Sequence, residues 1–180
     1  VIANLVVGNP ARPDFTARQM VVETGVGWAG PEPRRVTIEG ARLYGTYTGG
    51  KLSLGALDPL VFTDSKEPPA LPAINLVLRD ARALLLSDYG AVGVKLEGAG
   101  RLDDGFTGTL AASAPGAGVD GCRAEKATLY GKLTTKDGAP RLDGPLRLAG
   151  LDCGGAGLTR ADIGIRFALS RDFGGVEGDF

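Results

Sequence analysis

The chain has 180 residues, 20 of them basic and 21 acidic, and the resulting net charge of -1 with no block of like charges argues against nucleic acid and anionic membrane surfaces as electrostatic partners. Hydrophobic residues at 43% and charged residues at 23% match globular averages and exclude wholesale disorder. Glycine is frequent, 29 residues without a three-residue period, which excludes collagen and points to many turns.

In chain order, the dominant signal is alternation of apolar and polar residues, the mark of a strand with one dry face. Val36 and Ile38 alternate with Arg35, Thr37 and Glu39. Gly49-Gly50 reads as a two-residue hairpin turn that sets Tyr47 opposite Leu52 and Leu43 opposite Ala56. Asp58-Pro59-Leu60-Val61-Phe62 is the one helical signal, an N-cap residue followed by Pro at the first helical position. Pro68, Pro69 and Pro72 then break the pattern and exclude a central strand. The reading is therefore a strand-rich section over 1–62, a Pro-rich connection over 63–73, and β-hairpins in one continuous sheet over 74–180.

In the last section Val92, Val94 and Leu96 alternate with Gly93, Lys95 and Glu97. Asp103-Asp104-Gly105 as a three-residue turn sets Leu102 opposite Phe106 and Gly98 opposite Leu110. Lys136-Asp137-Gly138 marks a further turn, and Pro140 and Pro145 beyond it predict a bulged or edge strand. The clearest alternation runs from Asp162 to Ser170, with Ile163, Ile165, Phe167 and Leu169 on one face. Arg101-Leu102-Asp103-Asp104-Gly105 and Arg141-Leu142-Asp143-Gly144 form a loose internal repeat. The fold class predicted is all-β, antiparallel hairpins forming a curved, groove-like sheet with at most one short helix near 58–62.

The residues give no catalytic machinery. Histidine is absent, which removes the commonest general base and the usual zinc ligand. Gly116-Ala117-Gly118-Val119-Asp120-Gly121 matches a dinucleotide fingerprint by letter, but it follows Ser113-Ala114-Pro115 and opens no helix, so it reads as a loop. Gly154-Gly155-Ala156-Gly157 begins like a calcium-binding repeat, yet Thr159 stands where an aspartate is needed. Asp103, Asp104, Asp137 and Asp143 read as turn formers rather than paired acids. Trp28 reads as packing at a core end. No metal or cofactor is expected. Cys122 and Cys153 could form one disulfide in an oxidising compartment or remain two buried thiols, since sequence leaves the connectivity open.

No run approaches the ~18 apolar residues of a membrane span, and no signal peptide is evident. The chain opens mid-pattern at Val1 rather than at Met, so the expectation is a piece of a longer protein whose anchoring segment lies outside it.

The stretches Ile2-Ala3-Asn4-Leu5-Val6-Val7-Gly8-Asn9-Pro10, Val36-Thr37-Ile38-Glu39-Gly40-Ala41-Arg42-Leu43-Tyr44-Gly45 and Gly50-Lys51-Leu52-Ser53-Leu54-Gly55-Ala56-Leu57-Asp58-Pro59-Leu60, with the later Phe106-Thr107-Gly108-Thr109-Leu110, carry a likeness. The chain resembles the AsmA-like proteins, including the TamB and YdbH branches. The resemblance implies a periplasmic protein anchored in the bacterial inner membrane. It also implies a long β-groove that passes phospholipid towards the outer membrane, with phospholipid acyl chains and outer-membrane assembly proteins as partners and no enzyme activity. The groove face would be Leu84, Leu86, Val92, Val94, Leu96, Leu102, Phe106, Leu110, Ile163, Ile165 and Phe167. A sheet with one apolar face must cover it somehow, because large exposed apolar patches are rare. The alternative expectation is therefore a structural or adhesive β-solenoid or β-sandwich of the cell envelope, with a closed dry core.

Overall fold

The computed structural model describes residues 1–27, 30–61, 70–171 and 175–179. Their alternating segments form thirteen strands: β1 (Ile2–Asn9), β2 (Arg12–Gly27), β3 (Gly30–Glu39), β4 (Arg42–Thr48), β5 (Lys51–Ser53), β6 (Asn75–Ser87), β7 (Gly90–Arg101), β8 (Thr107–Pro115), β9 (Gly118–Val119), β10 (Cys122–Lys136), β11 (Ala139–Cys153), β12 (Ala156–Leu169) and β13 (Val176–Asp179). All belong to one curved, groove-like sheet of 13 strands. The helical signal is realised as a turn of 3-10 helix, Gly55–Leu57, running into α1, Asp58–Val61. Asp58 anchors it by accepting the Ser53 hydroxyl at 2.6 Å and the Leu54 N–H. Phe62, Pro68, Pro69 and Trp28 lie outside the described residues.

From β6 onward the sheet is a meander of hairpins, β6-β7-β8-β10-β11-β12-β13, each strand antiparallel to the next. The first section joins this meander in parallel. Residues β3 and β4 act as one long strand interrupted at Gly40-Ala41: β2 pairs antiparallel with both, and β6 runs parallel to both, Ile38 beside Leu78 and Leu43 beside Ala83. Parallel neighbours cannot be joined by a tight turn and need a crossover of a dozen or more residues. The connection from Ser53 to Asn75, which holds the helical turn and the prolines, is that crossover. The proline-rich stretch therefore separates two sections in the chain but not in the sheet.

At the junction the chain needs bulges on both partners. Asp80 adopts φ 49 where the β6–β7 register slips between Leu78 and Ala81, and Gly40 adopts φ 64 beside it. An inserted residue of this kind bends the strand and increases its twist. The bulge is pinned by Arg42, whose Nη1 donates to Asp80 O at 2.7 Å and to Ala41 O at 2.8 Å, while its Nη2 donates to Asp80 Oδ2 at 3.0 Å.

Two sequence-based registers and one strand position are revised. Tyr47 does face Leu52, but Leu43 pairs with Phe15 rather than Ala56, because the helical turn takes Ala56 away and Asp14 Oδ2 accepts its N–H at 3.0 Å. Gly98 faces Gly108, and Leu110 faces Leu96, a slip of two residues from the tight-turn reading. The turn is wider because Phe106 is folded back into the sheet and Leu102 leaves β7 to donate its N–H to Ile74 O at 2.8 Å. A two-residue slip conserves the face of every side chain. Finally, β11 is an interior strand despite Pro140 and Pro145, paired on both sides by β10 and β12. Its ladder to β10 is interrupted between Leu146 and Asp143, where Pro145 has no N–H to offer and Gly144 lies against Tyr130 O and Gly131. The Asp137-Gly138 turn forms as read, with φ 53 and 78 and Lys136 facing Ala139.

No second sheet or helix layer lies over this sheet among the described residues. The accessible surface is 11657 Å², roughly 40% more than the ~8,200 Å² of a compact monomer of this mass. Among the described residues, deeply buried apolar side chains are few: Ala17, Ala41, Ala81, Phe106, Ala124 and Ile165. A filled sandwich core would bury far more.

Candidate functional site

Paired residues on neighbouring strands project to the same side, so the registers determine what each face of the sheet presents. Starting at Val7, one rung runs through Phe15, Leu43, Ala83, Val94, Ala112, Leu129 and Leu146 to Ile163. A second runs from Ile2 through Met20, Ile38, Leu78, Gly98, Gly108, Leu133 and Leu142 to Phe167. Each crosses nine strands without meeting a polar side chain. Between them lie Leu96 against Leu110, Leu110 against Gly131, and Gly144 against Ile165. At strand spacings of about 4.8 Å and rises of about 3.3 Å per residue, the two rungs frame on the order of 500 Å² of sheet. That lies within the roughly 300–600 Å² of the largest apolar patch on a typical soluble monomer, a size that is often functional. Apart from Ile2, which is exposed, the large side chains of the rungs are half-buried, shielding one another while their outer surfaces stay open.

The opposite face is charged. Glu97, Thr109, Lys132, Asp143, Arg166 and Asp179 follow one another across β7, β8, β10, β11, β12 and β13. Ion pairs tie it together, Arg166 to Asp143 at 3.0 Å, Lys95 to Glu97 at 2.9 Å, and Arg147 and Arg160 to Asp162 at 3.4 and 2.8 Å. Asp143 raises the pKa of Arg166 through that hydrogen bond and its charge. Asp103 is held below the usual carboxylate range by Arg101, which donates from Nε and Nη2 at 2.8 and 2.9 Å. These aspartates, and Asp104, which accepts the Asp137 N–H at 3.2 Å, are occupied by turns and strand pairs and do not form an acid pair.

Of the residues read as a groove face, Val92, Val94, Leu96, Leu110, Ile163, Ile165 and Phe167 share the apolar side. Leu84 and Leu86 do not. They pair with Gly93 and Ala91 and alternate with Ala83 and Leu85, which puts them on the charged face. The run Ala83-Leu84-Leu85-Leu86 is apolar on both sides, so periodicity alone cannot choose its face. Phe106 is also reassigned: only 2% exposed, it packs against Gly98 and Gly108 instead of lining an open surface. Leu102 lies in the turn beyond β7. Sequence reading missed Phe15, Leu43, Leu78, Leu129, Leu133, Leu142 and Leu146, although Leu129-Gly131-Leu133 and Leu142-Gly144-Leu146-Leu148 carry the same alternation.

Cys122 and Cys153 are direct cross-strand partners of β10 and β11 and are joined in a disulfide, with Cα atoms 4.1 Å apart. The Gly116–Gly121 segment, read as a loop, carries the two-residue strand β9, which pairs with Cys122 and Arg123 of β10 at the same end of the sheet, where Gly118 N–H donates to Tyr89 O at 3.1 Å; Gly154-Gly155 is the β11–β12 turn. Among the described residues no cluster of three His, Cys, Asp or Glu could hold a metal ion, and no helix is long and apolar enough to cross a membrane. No protein-family model, curated protein or solved structure matches the chain.

Proposed function

We propose that the apolar face binds phospholipid acyl chains and that the chain is a segment of a periplasmic lipid-transfer protein carrying phospholipid from the inner to the outer membrane. The observation that carries this reading is the pair of nine-strand apolar rungs with no second layer over them among the described residues. Such a surface is stabilised by whatever removes it from water, and each methylene of an acyl chain laid on it contributes roughly 0.8 kcal/mol. No bond is made or broken. Selectivity would come from the width and curvature of the face, since its side chains offer dispersion contacts and no directed polar groups. The Cys122–Cys153 disulfide suits an oxidising compartment such as the periplasm. The resemblance to AsmA-like proteins supports the same direction, with the membrane anchor and docking to outer-membrane assembly proteins belonging to the full-length protein.

Native mass spectrometry with lipid extraction on protein purified from a bacterial envelope tests this. The expected result is co-purified phospholipid that disappears in Val94→Asp while circular dichroism stays unchanged. A stably folded, lipid-free monomer that takes up no fluorescent phospholipid would overturn the reading.

A further inference from the structure

The two leucines that fall on the charged face have company there. Tyr44 is the direct partner of Leu84, Leu86 follows two residues on, and the three are 45%, 38% and 53% exposed. One step down the same face, Arg42, Arg82 and Lys95 are directly paired with one another across β4, β6 and β7. One step further lie Asp80 and Glu97. The face is thus graded along the strands, apolar, then cationic, then acidic, with roughly 7 Å between successive levels.

Sheet stability does not ask for this order. Like charges on directly opposed positions are destabilising. Asp80 is half-buried and is held by Arg42, Nη2 to Oδ2 at 3.0 Å, as well as by Arg82, Nε to Oδ1 at 3.2 Å, whereas Glu97, 2.9 Å from Lys95 Nζ, is an exposed partner of the kind that contributes little. The exposed Lys95 and Arg82 side chains are therefore open to a further anion, while Arg42 stays committed to the bulge. Aromatic and leucine side chains beside a row of Lys and Arg match the two layers of a membrane interface, acyl boundary and phosphate.

We infer that this patch is a docking surface for an anionic phospholipid bilayer: Tyr44, Leu84 and Leu86 enter the headgroup boundary, and Arg82 and Lys95 meet lipid phosphates. The net charge of -1, averaged over the chain, hides this local segregation. The inference is independent of acyl-chain binding on the opposite face, because the two use different sides of the sheet.

Co-sedimentation of the 180-residue chain with phosphatidylglycerol-containing and pure phosphatidylcholine vesicles tests it. The chain is expected to bind the anionic vesicles and to lose binding as salt shortens the screening length from about 10 Å towards 3 Å. Arg82→Gln and Lys95→Gln should each weaken partition roughly fivefold. Leu86→Asp should abolish it, while Leu158→Asp, exposed on β12, and Val94→Asp should bind like the parent. Equal binding to both vesicle types, no binding, or salt-insensitive binding overturns the inference; should a variant misfold, the salt series on the unsubstituted chain still decides. Loss of co-purified lipid in Val94→Asp with vesicle binding intact separates failure of one reading from failure of the other.

Discussion

Phe106 and Thr135 exchange hydrogen bonds between two neighbouring turns: the Phe106 N–H donates to Thr135 Oγ1 at 3.0 Å, and the Thr135 N–H donates to Phe106 O at 3.0 Å. Both residues are buried, and they lock the β7–β8 turn to the end of β10. The Phe106 ring fits only because Gly98 and Gly108 lie beneath it; a Cβ on Gly98 would stand 2.6 Å from Phe106 Cζ and 2.7 Å from Thr107 O.

Gly98→Ala is therefore an overpacking change with backbone on one side. We expect a loss of about 1–3 kcal/mol, read as a lower urea midpoint at unchanged slope. Phe106→Ala should cost about 3 kcal/mol or more by opening a cavity. A Gly98→Ala variant as stable as the parent would show that the ring is not packed there.

The two sides of β6 and β7 should answer differently to the same chemistry. Val94→Asp places a carboxylate in an uninterrupted apolar rung and should remove bound phospholipid. Leu84→Asp, on the charged side, should leave phospholipid content unchanged. Equal loss in both variants would show that the faces are not distinguished as the registers require.

Acid should loosen the junction of the two sheet sections. Asp80 is held below the ordinary 3.8, first by its hydrogen bond from Arg42, then by the charges of Arg42 and Arg82. Asp58 is lowered as well, by Ser53 and then Leu54, and Asp103 by Arg101. A carboxylate with a depressed folded pKa contributes stability that is complete above its unfolded pKa and vanishes as pH falls through the folded value. Thermal midpoints should thus be flat above about pH 5 and fall below 3.8, and Asp80→Asn should flatten part of that acid limb. An unchanged acid limb in Asp80→Asn counts against the assignment.

Reducing the disulfide should lower stability without unfolding the sheet. Cys122 and Cys153 are 31 residues apart, and loop closure of that length is worth up to about 4 kcal/mol in the unfolded chain. Midpoints with and without dithiothreitol, and for the Cys122→Ser/Cys153→Ser double variant, should shift together. A shift with reductant that persists in the double variant would have another origin.

Alternation alone determined that this chain is a β protein and which residues of each strand share a side; Ile163, Ile165 and Phe167 on β12 and Val92, Val94 and Leu96 on β7 needed nothing more. The absence of histidine likewise bounded the chemistry before any fold was known. Tertiary structure decided how those sides join. A register slip of two at the β7–β8 turn changed partners but kept every face. In Ala83-Leu84-Leu85-Leu86, where both parities are apolar, only the pairing of Ala83 with Val94 and Leu85 with Val92 selects the side, and it sends Leu84 and Leu86 to the charged face. The parallel seating of β3 and β4 beside β6 was equally invisible, because the contact joins residues on either side of a long crossover. Local sequence specifies the pleat, whereas register is the choice among pairings of distant strands, settled by which one aligns the most apolar surface and satisfies the bulge at Asp80.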